Sequence, residues 1–311
     1  MSWREVADRI RNWGRWGEED RLGTLNLITP ESVVAAAGLV RTGRTFSLAI
    51  PFDASGPQGG RFRSNPERLM SAINGTMSGP KFTSDSDSPF RFSDDSVFMA
   101  LQAATQWDAI AHVSYDGRLY NGIPADSIDV SGSAELGIHR VAQRGGIVAR
   151  GVLIDSARHL GIPYLAPDTA VTPAMLDETL ETQGVQLREG DVLLVRTGWW
   201  QRFIEQGPDR WMAEAPGLSW RCAEWLHDRG VAAVATDTAA VEVRKTEPDA
   251  VTMLLHMLTL RDMGMMLGEL WRLDELAEEC ANDQVYEFLL VAAALPFTGA
   301  MGTPVAPVAI K

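Results

Sequence analysis

The sequence predicts a mixed α/β body, and two patterns carry that prediction. Continuous apolar runs at GIVARGVLIDSA (146–157), GDVLLVRTGWW (190–200) and VAAVATDT (231–238) read as strands buried on both faces. Between and around them, residues 173–182 and 219–229 have helical apolar spacing, and such alternation is the mark of a sheet layered with helices. With 45% hydrophobic residues over 311 positions the chain can build one sizeable core, and no repeat or low-complexity linker divides it.

Taken in order, residues 1–45 read as a helical segment packed on the body. Positions 3–13 have helical spacing, and Thr29 is a candidate N-cap with Pro30 at the first helical position before the apolar run 33–40. Residues 46–311 are expected to form a single domain. TFSLAIP (45–51) suggests its first strand. From Asp53 to Ser96, Gly, Ser, Pro and Asp dominate and periodicity is lost. An excursion of that length fits a lid or binding element as well as an unstructured loop. The methionine-rich stretch 253–266 reads as a core helix and strand. Residues 288–310 carry no charge, but Pro296, Pro304 and Pro307, with Gly299 and Gly302, would break a membrane helix. The expectation there is a buried strand over 287–295, a packed loop and a short final strand.

Charge and cysteine content narrow the function. A formal charge of -13 with scattered Lys and Arg argues against a nucleic-acid partner. No apolar leader segment opens the chain, so no membrane association and a cytoplasmic location are expected. Cys222 and Cys280 are too few for a disulfide framework and are expected to be reduced, semi-buried thiols. His139, His159 and His227 sit in basic or helical surface segments and read as structural.

The segment that can carry chemistry runs from Gln102 to His112. Gln102, Gln106, Asp108 and His112 all fall on even positions, so an extended backbone would project them from one face. Polar groups interleaved with Ala, Trp and Ile are costly to bury unless they meet each other, a ligand or a metal. A polar strand facing solvent gives the same spacing.

This segment resembles the His-x-Gly-Thr-His-x-Asp-x-Pro-x-His motif of the cyclase family, which includes bacterial kynurenine formamidase and isatin hydrolase. The likeness extends along the chain through Trp13-Gly14 to Gly23-Thr24-Leu25-Asn26, RGVLIDSAR (150–158), GDVLLVRTGWW, ATDTAAVE (235–242) and GTPVAPVAI (302–310). It implies the family's swivelling β/β/α fold with a mixed central sheet, assembly as a homodimer or homotetramer, and hydrolysis of a C–N or C–O bond in a small cyclic or acylated amide, imide or lactone.

The departures fall on the metal ligands. Gln102 and Gln106 stand where the family has metal-binding His, Ala104 and Ile110 replace its Gly and Pro, Asp108 is kept, and His112 falls on the general acid/base position. His256 matches the third metal His, while the metal-binding Glu aligns with Gly268, one residue from Glu269. If a metal is present, its ligands would come from Asp108, His256, Gln102, Gln106 and Glu269. An amide offers only a carbonyl oxygen, so this donor set favours no metal over one divalent ion, Mn or Zn. Without metal, Asp108 would orient His112 as general acid/base, and Gln102 and Gln106 would donate to the developing oxyanion. Trp107, Arg63, Tyr120 and Asn121 are candidate substrate contacts, with Arg61 and Asn65 in the same loop as Arg63. A lyase, dehydratase or true cyclase using the same His112, and a catalytically silent small-molecule-binding protein, remain as alternatives.

Overall fold

The computed structural model describes residues 2–60, 62–74 and 91–311, so Arg61 lies outside the described residues. The strands are β1 (Thr45–Ser47), β2 (Glu67–Ala72), β3 (Asp94–Phe98), β4 (Gln106–Asp108), β5 (Ile147–Asp155), β6 (Ala170–Val171), β7 (Val192–Arg196), β8 (Gly217–Leu218), β9 (Ala233–Thr236), β10 (Met266–Glu269), β11 (Glu287–Ala292), β12 (Gly302–Pro304) and β13 (Val308–Ile310). Nine of them form one mixed sheet in the order β1-β13-β11-β5-β7-β9-β10-β4-β12. The architecture is therefore the mixed α/β body expected.

Four central strands, β5-β7-β9-β10, run parallel. Parallel neighbours need crossovers, and these are supplied by helix Pro173–Gln183, then Trp199–Gln206 and Cys222–Asp228, then Leu254–His256 with the π-helical turn Met257–Met263. Burial explains why these strands are mostly apolar: every residue of β7, β9 and β10 is buried, with charge confined in them to Arg196 and Glu269 at the strand ends. Antiparallel strands flank them, with β11, β13 and β1 on one side and β4 and β12 on the other.

The carboxyl ends of the parallel strands share one edge, where open α/β sheets bind ligands. That edge is held by charge. Arg196, at the end of β7, pairs with Asp155 at 3.0 Å and Asp274 at 2.9 Å. Next to it the buried Asp237 accepts the backbone N–H of Thr197 at 2.9 Å and its hydroxyl at 2.6 Å. Burial pushes the Asp237 carboxyl up to about 6.

The N-terminal segment contains helices Trp3–Arg9 and Pro30–Ala37, each closed by a capping box at Ser2 and Thr29. Val6, Ile10, Leu25 and Ile28 from this segment are buried in the same apolar cluster as the sheet.

Several local expectations change. The 53–96 excursion contains the β2–β3 ribbon, whose polar-apolar alternation is hidden because nearly every side chain in it is exposed. The closing apolar stretch makes three short strands rather than two, since β12 lies inside the expected loop and pairs with β4. Cys222 and Cys280 are free and fully buried, not semi-buried. Among the described residues no helix is long and apolar enough to cross a membrane.

Gly268 in β10 has no room for a side chain. A Cβ there would lie 2.6 Å from Ala235 Cβ, 2.8 Å from Trp271 Nε1 and 2.9 Å from Trp107 Cζ3. Gly268→Ala is therefore expected to lower unfolding free energy by roughly 1–3 kcal/mol. An unchanged urea midpoint would show that the two indoles can give way.

Candidate active site

The floor of the site comes from the register of three adjacent strands. β4 lies antiparallel between β10 and β12, with Gln106 opposite Glu269, Trp107 opposite Gly268 and Asp108 opposite Leu267. Strand alternation turns Gln106, Asp108 and Glu269 to one face and Trp107 with Gly268 to the other. The one-residue offset in the expected glutamate follows directly: position 268 faces packed indoles, whereas position 269 faces the site.

Gln106 Nε2 donates to Glu269 Oε2 at 2.9 Å and lies 3.4 Å from Asp108 Oδ1. His256, at the end of the short helix Leu254–His256, brings Nε2 to 3.3 Å from Glu269 Oε1 and 4.0 Å from Asp108 Oδ2. Its Nδ1 lies 2.5 Å from Glu242 Oε1, and the Glu242 carboxylate also accepts the backbone N–H groups of Leu255 and His256. Glu242 thus fixes the imidazole so that Nε2 faces Asp108 and Glu269, the arrangement by which a second carboxylate orients a metal-binding histidine. All five side chains are buried. Burial works against a charged His256, but Glu242 and Glu269 hold the imidazole up to about 10. Burial also raises the Glu269 carboxyl, and the neighbouring Asp108 adds to that rise.

His112 reaches the site by a different route from the extended one expected. Only Gln106–Asp108 is strand; the chain then turns, with the His112 N–H donating to Ala109 O at 2.8 Å. Gln102 lies in the turn before the strand, its Nε2 only 2.8 Å from where a Cβ on Gly302 would sit. No hydrogen bond joins Asp108 to His112: the Asp108 carboxylate faces Gln106 and His256, and His112 Nδ1 is buried without a partner among the described residues. The Gln106 amide hydrogens are spent on Glu269 and Asp108.

Above the floor opens a cleft of about 720 Å³ that His112, His256, Glu269 and Arg63 line. That size suits a small molecule. Arg63 Nη1 donates to Gln102 O at 3.3 Å. The other expected contacts lie elsewhere. Trp107 is core, T-stacked on Trp271 at 4.8 Å, because its strand position faces away. Tyr120 donates to Asp20 at 2.8 Å and Asn121 bonds the backbone of Gly14, Gly17 and Glu18, so both anchor the N-terminal segment. Asn65 ties its own loop at Ala54, Gly56 and Gln58. Glu242 was not a candidate from sequence, since its partner lies 14 residues on in an unrelated local pattern.

The floor fits a divalent cation. Asp108, His256 and Glu269 each offer one ligand atom, and these atoms lie within 4.8 Å of one another. Gln106 Oε1 is buried without a partner, and rotating that amide would turn an oxygen, in place of N–H donors, toward the carboxylates. Oxygen and imidazole donors of this kind suit first-row divalent ions.

Residues 46–243 match the family model described as "Putative cyclase". The fold is similar to the crystal structure of a novel cyclase, with TM-score 0.86 and 39% identity over 97% of this chain and 99% of that one. It is also similar to isatin hydrolase A from Ralstonia solanacearum (TM-score 0.63, 18% identity, 91% and 98% covered) and to isatin hydrolase A from Labrenzia aggregata bound to benzyl benzoate (TM-score 0.62, 18% identity, 90% and 97% covered). No curated protein matches the sequence.

Two outcomes follow from the buried cluster. A histidine whose folded pKa is raised from 6.5 to about 10 adds stability that is full below 6.5 and is lost as pH rises through 10. The raised Glu269 carboxyl acts with the same sign. Chelator-treated protein is therefore expected to lose urea resistance between pH 6.5 and about 10, and His256→Gln to flatten that loss. Glu242→Gln is expected to weaken Mn or Zn binding, read by calorimetry, by about ten- to a hundredfold; unchanged affinity would remove Glu242 from its orienting role.

Proposed function

Because this chain belongs to the cyclase family, we propose that it is a hydrolase adding water across the C–N or C–O bond of a small cyclic or acylated amide, imide or lactone. The observation that carries the reading is His112, a part-exposed imidazole that lines the same small-molecule cleft as Glu269 and His256. An imidazole on the wall of such a cleft is suited to exchange a proton with a bound ligand or a reacting water.

The proposed steps use the groups in place. A substrate carbonyl lies against the floor, where the amide of Gln102 donates to its oxygen and stabilises the charge that develops there. His112 takes a proton from water as the water oxygen bonds to the carbonyl carbon. As the C–N or C–O bond breaks, the same imidazole returns that proton to the leaving nitrogen or oxygen, giving an acid and an amine (from an amide), an amide (from an imide) or an alcohol (from a lactone). Asp108 does not orient His112 in this scheme. It belongs with Glu269 and His256, which would hold a divalent cation that supplies Lewis-acid polarisation of the scissile carbonyl.

The test uses purified protein with N-formyl arylamines, cyclic imides and aryl lactones in oxygen-18 water. The expected result is label in the acid product, with His112→Ala lowering kcat/KM by about 10²–10⁴-fold. Turnover without label would assign His112 to elimination or cyclisation instead. Saturable binding with no turnover would make the chain a silent binder.

A further inference from the structure

The walls of the cleft carry the opposite charge from its floor. The chain has 41 acidic residues against 28 Lys and Arg, yet the described residues lining the cleft include Arg63, Arg210 and Arg244, with Glu269 the one carboxylate among them. Arg210 is engaged by Glu214 at 2.5 Å. Neither Arg63 nor Arg244 forms a salt bridge among the described residues, although Arg63 lies near enough to Glu269 to favour that carboxylate's charged form. Arg63 is half-buried, donates only to the Gln102 carbonyl and leans over the Phe62 ring at 5.4 Å. Arg244 is held by Met253 Sδ at 3.6 Å. Two arginines that form no salt bridge among the described residues therefore line one cavity, together with Phe62, Met212 and Met253.

We infer that the natural substrate is an anion: a carboxylate held by Arg63 and Arg244, joined through an apolar ring or chain to the acyl group that reacts at the floor. A guanidinium binds a carboxylate through two parallel N–H···O bonds, stronger than any it makes to a carbonyl or thioether. The charge gradient also fixes direction. A carboxylate turned toward Asp108, Glu242 and Glu269 would meet like charge in a buried site, so only the arginine end accepts it.

The substrate class rests on the hydrolytic reading, whereas the anion subsite stands apart from it, and the experiment separates them. Calorimetry compares benzoate with benzamide, and 2-formamidobenzoate with its methyl ester, on the full chain and on Arg244→Gln, an exposed position outside the reacting groups. Each carboxylate is expected to bind at least tenfold more tightly than its neutral partner, and Arg244→Gln to remove most of that preference without changing benzamide binding. In parallel, KM for 2-formamidobenzoate should rise in Arg244→Gln while kcat holds. Equal binding of acid and neutral partner, or an intact preference in Arg244→Gln, overturns the anion subsite whatever the turnover. Carboxylate preference with no hydrolysis of either formamide supports the subsite and overturns the hydrolytic reading instead.

Discussion

Three carboxyl groups, Asp108, Glu242 and Glu269, are buried around the single imidazole of His256, and much of the surrounding structure serves to make that tolerable. Unpaired buried charge is among the costliest features a fold can carry. Glu242 is offset by two backbone N–H groups and His256 Nδ1, and Glu269 by the Gln106 amide and His256 Nε2. The remaining imbalance sits between Asp108 and Glu269, where Asp108 disfavours ionisation of Glu269, and a cation or a proton is what such a pair can hold.

The replacement of histidine by Gln106 changes the character of this floor. A neutral imidazole that gives a metal its lone pair carries its single N–H on the other edge of the ring, as His256 does toward Glu242, and so cannot also donate to the carboxylates beside the metal. An amide can do either, because one end donates and the other accepts. In the arrangement described here its hydrogens point to Glu269 and Asp108 and its oxygen is left without a partner. The floor is therefore satisfied enough to persist without a cation. It is also one amide rotation away from offering a fourth donor. A metal bound there would replace two hydrogen bonds, a cost that a site of preformed imidazoles does not carry.

How far the site was legible in the sequence follows from the range of the forces involved. Even spacing of Gln106 and Asp108 was a sound signal, because strand alternation acts over two residues. It failed at both ends. Thr105 breaks the regular strand by donating to Leu270 O and accepting from Ile50 N–H, and Ala109–His112 folds into a turn that no periodicity announces. His256 and the neighbourhood of Glu269 came from family resemblance, not spacing, and the choice between positions 268 and 269 needed the packing of Trp107 and Trp271. Strands β5, β7 and β9 were plain because burial on both faces leaves an unbroken apolar run. The β12 strand was not, since three residues ending in proline have no pattern to read.

That short strand matters more than its length suggests. β12 pairs with β4 on the side away from β10, so Gly302 lies opposite Asp108 and beside the Gln102 amide. A side chain at 302 would meet both the Trp107 carbonyl and Gln102 Nε2, so the glycine is what lets the turn carrying Gln102 close over the floor. Arg63 donates to the carbonyl of that same turn and thereby ties the cleft wall to the polar floor. Of the C-terminal apolar stretch, which resembles a membrane segment in composition alone, β12 is thus the edge against which the turn carrying Gln102 is set, whereas β11 and β13 pair on the opposite flank of the sheet.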